Sequence, residues 1–102
     1  MEALLQLAAI VDSSDDAIIS KDLSGIITSW NAAATRLFGY EPHEIIGRSV
    51  LTIIPENLHW QEPEILRKVT SGERIQHFET IRKRKNGELL HISLTISPIR
   101  DN

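Results

Sequence analysis

The chain has 102 residues and a formal net charge of −3 at pH 7, with 25% charged and 41% hydrophobic residues. This length suits one domain with a single core, and the negative charge gives no reason to expect a nucleic-acid partner. The sequence contains no cysteine, which excludes disulfides and thiol chemistry.

The composition is that of an ordinary globular protein. No apolar stretch approaches the ~20 residues that a membrane-spanning helix needs. The first residues, MEAL, lack the basic start of a secretory signal. We therefore expect a cytoplasmic segment without membrane contact. The basic block at residues 82–85 precedes Asn86-Gly87, and we interpret it as a solvated hairpin tip.

Residues 2–11, EALLQLAAIV, carry apolar side chains at helical spacing. The pattern predicts an amphipathic N-terminal helix at residues 1–12, ahead of the main domain at residues 13–102. The alternative is a frayed leader from a longer chain. A helix this short is marginal alone and must dock its apolar face. We expect a homodimer with Leu4, Leu7 and Val11 at its interface.

Residues 16–40, DAIISKDLSGIITSWNAAATRLFGY, predict a strand, a tight turn, a second strand and a short helix. The turn occupies residues 21–25 and is closed by glycine. Asn31 precedes three alanines, so its side chain is placed to cap a helix at residues 32–38. Gly39 is placed to end that helix.

Two short helical turns are predicted near residues 42–46 and 49–53. A longer helix follows, with Pro63 in its first turn, and Ser71-Gly72 stops it. A late hairpin at residues 75–84 and 88–99 flanks Asn86-Gly87, a dipeptide that tolerates positive φ at both turn centres. In its second arm, apolar residues at every second position predict one face packed on the helices: Leu90, Ile92, Leu94 and Ile96.

In this order, these segments resemble a PAS domain of the S-box kind, as found in bacterial sensor histidine kinases. The resemblance covers roughly residues 12–102. It implies an α+β fold, in which an antiparallel sheet of nominal strand order 2-1-5-4-3 carries short helices on one face. Only four of these strands are identifiable in the sequence, and the missing fifth belongs in the middle of the sheet. An empty middle would leave two rows of backbone groups unpaired, at about 1–3 kcal/mol per buried group. A swapped strand, a close approach of strands one and four, or residues outside this chain must therefore compensate.

The resemblance implies a sensory or protein-interaction module of a two-component signalling protein. Such a module binds a small ligand between helices and sheet, or relays a signal through dimerisation. The family's cavity corresponds here to Ile54, Leu66, His77, Ile92 and Leu94.

We find no catalytic constellation, because the glycines are scattered singly and no serine lies in a nucleophile elbow. The domain is therefore not expected to be an enzyme. Asp12, Asp15 and Asp16 cluster, but without the ligand spacing of a calcium loop, so no metal site is predicted.

The alternative interpretation is a haem- or flavin-binding redox or gas sensor. Haem-binding PAS domains place an axial histidine after a proline that matches Pro55, which makes His59 the candidate ligand. Counting from that proline, however, puts the family's ligand position near Glu62. Trp30 and Trp60 suggest stacking on a flavin, but no set of amide side chains accompanies them to hold its ring edge. The flavin adduct of light-sensing relatives requires a cysteine that this chain lacks.

Overall fold

The computed structural model describes the backbone of residues 4–11 and 17–101 and the side chains of residues 17–96. Within those residues the chain forms five strands, three α-helices and two 3₁₀ turns. The strands are β1 (Leu4–Val11), β2 (Ile18–Lys21), β3 (Ile27–Trp30), β4 (Ile75–Lys83) and β5 (Leu89–Asp101). The α-helices are α1 (Ala32–Phe38), α2 (Pro42–Ile45) and α3 (Gln61–Thr70), and the 3₁₀ turns are Val50–Ile53 and Glu56–Leu58. The predicted α+β class is confirmed.

The strands form one antiparallel sheet in the order β3-β2-β1-β5-β4. If β1 is left out, the other four strands stand in the order that the sequence predicted, with the middle position of the sheet empty. The N-terminal segment fills that place, pairing with β2 from Leu7↔Lys21 to Ile10↔Ile18 and with β5 from Leu4↔Asp101 to Val11↔Leu94. The expectation that the sheet lacks a strand is therefore wrong for this structure.

The predicted N-terminal helix is also wrong, since residues 4–11 form β1. An apolar run of this length is ambiguous, because a strand with neighbours on both sides has the same composition as a short buried helix. The vacant place offers backbone partners along both edges of the segment, and this pairing overrides a weak helical preference.

The helical spacing that grouped Leu4, Leu7 and Val11 on one face does not hold in a strand, whose period is two residues. The side chains of these three residues lie outside the described set. Their place at a dimer interface stays a prediction.

The predicted cap of α1 is confirmed. The Asn31 side-chain oxygen accepts hydrogen bonds from the backbone N–H of Ala34 at 2.9 Å and of Ile18 at 3.0 Å. One side chain thus starts α1 and ties it to β2. Gly39 ends the helix with φ 90°, a left-handed conformation that glycine adopts without strain.

The β4–β5 hairpin turns at the predicted place but with different geometry. The Arg84 N–H donates to the Glu88 carbonyl at 2.8 Å, and the Gly87 N–H donates to the Arg84 carbonyl at 2.9 Å. Gly87 has φ 90°, whereas Asn86 is not among the positive-φ residues. The connection is therefore a three-residue loop with a left-handed glycine, not a two-residue turn with two positive-φ centres.

The core lies between the sheet and the helices. Phe38, Ile27, Ile45 and Ile54 are fully buried, and the apolar alternation on β5 is confirmed because Ile92, Leu94 and Ile96 are all buried. Across the two described stretches, no helix has the length and apolar character to cross a membrane.

Candidate functional site

A small cavity lies inside the core, where the sheet meets α3 and the first 3₁₀ turn. Its volume is about 20 Å³, and most of its wall is apolar, with contributions from Ile19, Phe38, Ile53, Ile65, Ile92 and Leu94. A volume of roughly 10–15 Å³ on this measure is enough for one water molecule. The cavity therefore has room for a single water and for no larger molecule without movement of its walls.

One wall of the cavity is charged. Lys21, at the end of β2, places its Nζ 2.7 Å and 2.6 Å from the two carboxylate oxygens of Glu62 in the first turn of α3. The two side chains are only 4% and 12% exposed. This ion pair joins the sheet to α3 through the interior of the domain.

Arg82 on β4 lies on the same wall and is also buried. Its Nη1 donates to three neutral acceptors: the Gln61 Oε1 at 3.1 Å, the Thr80 Oγ1 at 3.2 Å and the Ile81 carbonyl at 3.0 Å. The Thr80 hydroxyl in turn donates to the Gln61 Oε1 at 3.1 Å. We call Lys21, Gln61, Glu62, Thr80 and Arg82 the interior polar cluster.

Burial shifts both cations of this cluster in the same direction. Loss of hydration lowers the pKa of Lys21 from its ordinary value of 10.5, although Glu62 opposes the shift. Loss of hydration also lowers the pKa of Arg82, to about 10, again against the pull of Glu62. At pH 7 Arg82 is therefore still charged. One carboxylate faces two cations, so the fully ionised cluster carries a net charge of +1.

The sequence interpretation missed this cluster. It assigned Arg82 to a solvated basic tip, which is wrong because the side chain is buried. It placed Lys21 in the turn, whereas Lys21 is the last residue of β2. A signal was present in the strand period of two. Thr80 pairs with Ile92 and Arg82 with Leu90, so the two polar residues share the inward face of the hairpin.

Three of the five predicted cavity residues, Ile54, Ile92 and Leu94, line the cavity. The other two do not. Leu66 is half-buried against the outside of the core. His77 is exposed, with φ 53°, where the pairing of β4 with β5 shifts between Ile75 and Phe78. This irregularity turns His77 away from the interior, which no feature of the local sequence indicated.

The cavity does not fit a haem. His59 lies outside its wall, and a ring nitrogen of His59 is 2.9 Å from the Ile54 carbonyl oxygen. Glu62, where counting placed the family's ligand position, does line the cavity, but both its oxygens are bonded to Lys21. Space for one water is also far below what a porphyrin requires.

A flavin fits no better. Trp30 is buried at a ring-centroid distance of 5.5 Å from Phe38, and its indole N–H donates to the Tyr40 carbonyl at 3.0 Å. Trp60 is 62% exposed. Neither ring borders the cavity. Among the described residues, no group of three or more metal-ligating side chains gathers, and Asp12, Asp15 and Asp16 lie outside the described set.

Comparison with known families agrees with this architecture. The sequence pattern of the family described as PAS fold matches residues 5–102. The chain belongs to the PAS family, whose members are sensory and signalling modules. The matched range includes most of β1.

A protein of Azorhizobium caulinodans, described as uncharacterized, is 31% identical over 99 residues. The match takes in 90% of this chain but only 13% of that protein. The crystal structure of a PAS domain from Colwellia psychrerythraea is similar in fold, with a TM-score of 0.57 and 19% identity, over 94% of this chain and 85% of that one.

Proposed function

We propose that this PAS domain is the sensory module of a larger signal-transduction protein, such as a sensor histidine kinase. In this proposal it responds to a small molecule that enters between α3 and the sheet. The observation that carries it is the set of buried charged side chains on the wall of an otherwise apolar interior space, since ligand sites combine apolar walls with a few convergent polar groups. The match to a small part of a much longer protein supports a module within a larger chain.

The Lys21–Glu62 pair is the connection through which a ligand in the cavity acts on α3. It links the end of β2 directly to the first turn of α3. A molecule that enters the cavity must separate α3 from the sheet, because the space between them holds only one water. The two arrangements differ in the position of α3, and the ligand shifts the population toward the open one.

The test is a ¹H–¹⁵N NMR screen of small molecules against the domain, with two variants of β5. Leu94→Trp places a large ring in the cavity and is expected to abolish binding, whereas His91→Trp places the same ring on the exposed side of the strand and should leave binding intact. Because overpacking can cost 1–3 kcal/mol, the spectrum of Leu94→Trp must first show a folded domain. Equal binding by both variants would contradict an interior site.

Self-association is a further proposal for this domain. The amphipathic N-terminal helix from which the homodimer was predicted is not formed, because residues 4–11 are β1 in the middle of the sheet. What supports it is the presence of two exposed apolar side chains that a second copy would cover: Ile18 on β2, which is 42% exposed, and Leu89 on β5, which is 62% exposed. Light scattering at high micromolar concentration tests it, and a monomer there would refute the homodimer.

A further inference from the structure

The interior polar cluster contains more positive than negative charge. Lys21 and Arg82 are 3% and 4% exposed, and Glu62 is the carboxylate that faces them. Lys21 is satisfied by both oxygens of that carboxylate. Arg82 has only neutral acceptors within hydrogen-bond distance in the described part of the chain. A buried guanidinium that makes no hydrogen bond to an anion is costly, and it favours a ligand that supplies one.

The geometry of Arg82 leaves donors for such a ligand. All of its hydrogen bonds within the described residues run through Nη1. A guanidinium has five N–H donors in a planar fork that matches the two oxygens of a carboxylate. The Nε and Nη2 groups of Arg82 therefore remain for a bidentate contact.

The rest of the wall decides which kind of anion fits. Beyond the charged side, the cavity is bounded by aliphatic side chains such as Ile19, Ile65 and Leu94. A phosphate or sulfate would press further oxygens against this apolar surface, where they would stay unpaired. A carboxylate with a short hydrocarbon chain directs its two oxygens to the cations and its chain to the apolar wall.

We propose, resting on the sensory function above, that the interior site recognises a small organic monocarboxylate. Its carboxylate is bound by the Nε and Nη2 groups of Arg82 beside the Lys21–Glu62 pair, and its short apolar chain lies between α3 and the sheet. With Glu62 retained, the added carboxylate brings the net charge of the cluster to zero. The chain of the ligand displaces α3, since the closed cavity is too small to contain it.

The experiment is an NMR titration of the intact 102-residue chain with propionate and butyrate, each compared with its neutral amide of the same shape. The carboxylates are expected to shift the amide signals of Lys21, Gln61 and Arg82 in a saturable way. They should also shift the Nε–H signal of Arg82. The amides should bind at least about tenfold more weakly, the ratio expected for loss of a charge-assisted hydrogen bond. Sodium chloride at equal ionic strength should not reproduce these shifts.

A matched pair of variants locates the recognition. Arg82→Gln should remove the preference for acid over amide, while Arg67→Gln, on the exposed side of α3, should leave it unchanged. If Arg82→Gln does not fold, the Nε–H signal of the unmodified chain decides the question. A shift of that signal by the acid but not by the amide supports the site, and no shift by either overturns it.

The outcomes separate this inference from the function on which it rests. Equal interior binding of acids and amides would overturn the carboxylate assignment and leave a ligand-binding sensor. Carboxylate shifts confined to the basic hairpin tip at residues 83–87 would also overturn the carboxylate assignment. If neither the two acids nor their amides bind, and the NMR screen of small molecules also finds no ligand, both proposals are overturned.

Discussion

Two carboxylates in the first turn of α3 bind basic side chains at nearly equal distances, one in the interior and one on the surface. Glu62 binds Lys21 at 2.6 Å inside the domain, and Glu64 binds Arg67 at 2.7 Å on its surface. The interior pair is 12% and 4% exposed, and the surface pair is 52% and 66% exposed. An exposed pair contributes about 0–1 kcal/mol, because water competes for both groups. Breaking a buried pair leaves a charge that water cannot reach. The distance between two charges therefore says little about their energetic role, and burial decides it.

Replacement of each carboxylate by its amide is the strongest test of this difference. Glu62→Gln leaves Lys21 and Arg82 together in the interior without an anion, and we expect a loss of about 3–5 kcal/mol in the free energy of unfolding. Glu64→Gln should change it by about 0.5 kcal/mol or less. Urea unfolding followed by circular dichroism measures both. Similar losses for the two variants would show that the interior pair is no more important than the surface pair.

A double substitution sharpens the comparison. In Lys21→Met/Glu62→Gln one uncompensated cation remains, instead of the two left by Glu62→Gln alone. We expect the double variant to lose less stability than the sum of the losses of Lys21→Met and Glu62→Gln, by an interaction energy of about 1–3 kcal/mol. The corresponding pair Arg67→Met/Glu64→Gln should show almost no such coupling. Simple additivity at the interior pair would show that Lys21 and Glu62 do not stabilise each other.

Asn31 provides a neutral polar anchor whose loss should cost less than that of the buried pair. Asn31→Ala removes the acceptor for the N–H groups of Ala34 and Ile18, and we expect a loss of about 1–2 kcal/mol. Asn31→Asp retains an acceptor oxygen at the same place and serves as the control in the same urea experiment. An alanine variant as stable as the aspartate variant would show that the cap has no energetic role.

The smallest expected effect is the pH dependence of the interior pair. Burial lowers the pKa of Lys21 in the folded protein, so between that value and 10.5 the unfolded chain binds more protons than the folded one. Stability from this group therefore rises with pH in that window, and is lowest where both states are protonated. The difference in unfolding free energy between the unmodified chain and Lys21→Met, followed from pH 7 to 10.5, measures it. A difference that falls with rising pH would contradict the direction of the shift.

The sequence predicted the fold wherever local chemistry decides the structure. Asn31 and Gly39 bound α1 as expected, and the period of two on β5 identified its buried face. The failures involve partners that are distant in sequence. The segment at residues 4–11 takes its form from two strands that it meets only after folding. Lys21 and Glu62 are 41 positions apart, and neither shows locally that it is buried with the other.

The candidate site was predicted only in its apolar half. Ile54, Ile92 and Leu94 follow from hydrophobic patterning and from the family's geometry. The interior polar cluster was not predicted, because a lysine next to a turn and an arginine in a basic run are usually exposed. The burial of Arg82 depends on the register of β4 against β5, and that of Lys21 on the pairing of β2 with β1 and β3.

The central position of β1 has a consequence for the rate of folding. The pairs β2–β3 and β4–β5 are close in sequence and can form early as separate ribbons, and β1 joins β2 through a short connection. The seam between β1 and β5, from Leu4↔Asp101 to Val11↔Leu94, closes a loop of nearly the whole chain. Such long-range pairing carries a large entropic cost before any contact compensates for it, so chains rich in it fold slowly. Joining the two halves of the sheet along this seam is therefore the step expected to limit how fast the domain folds.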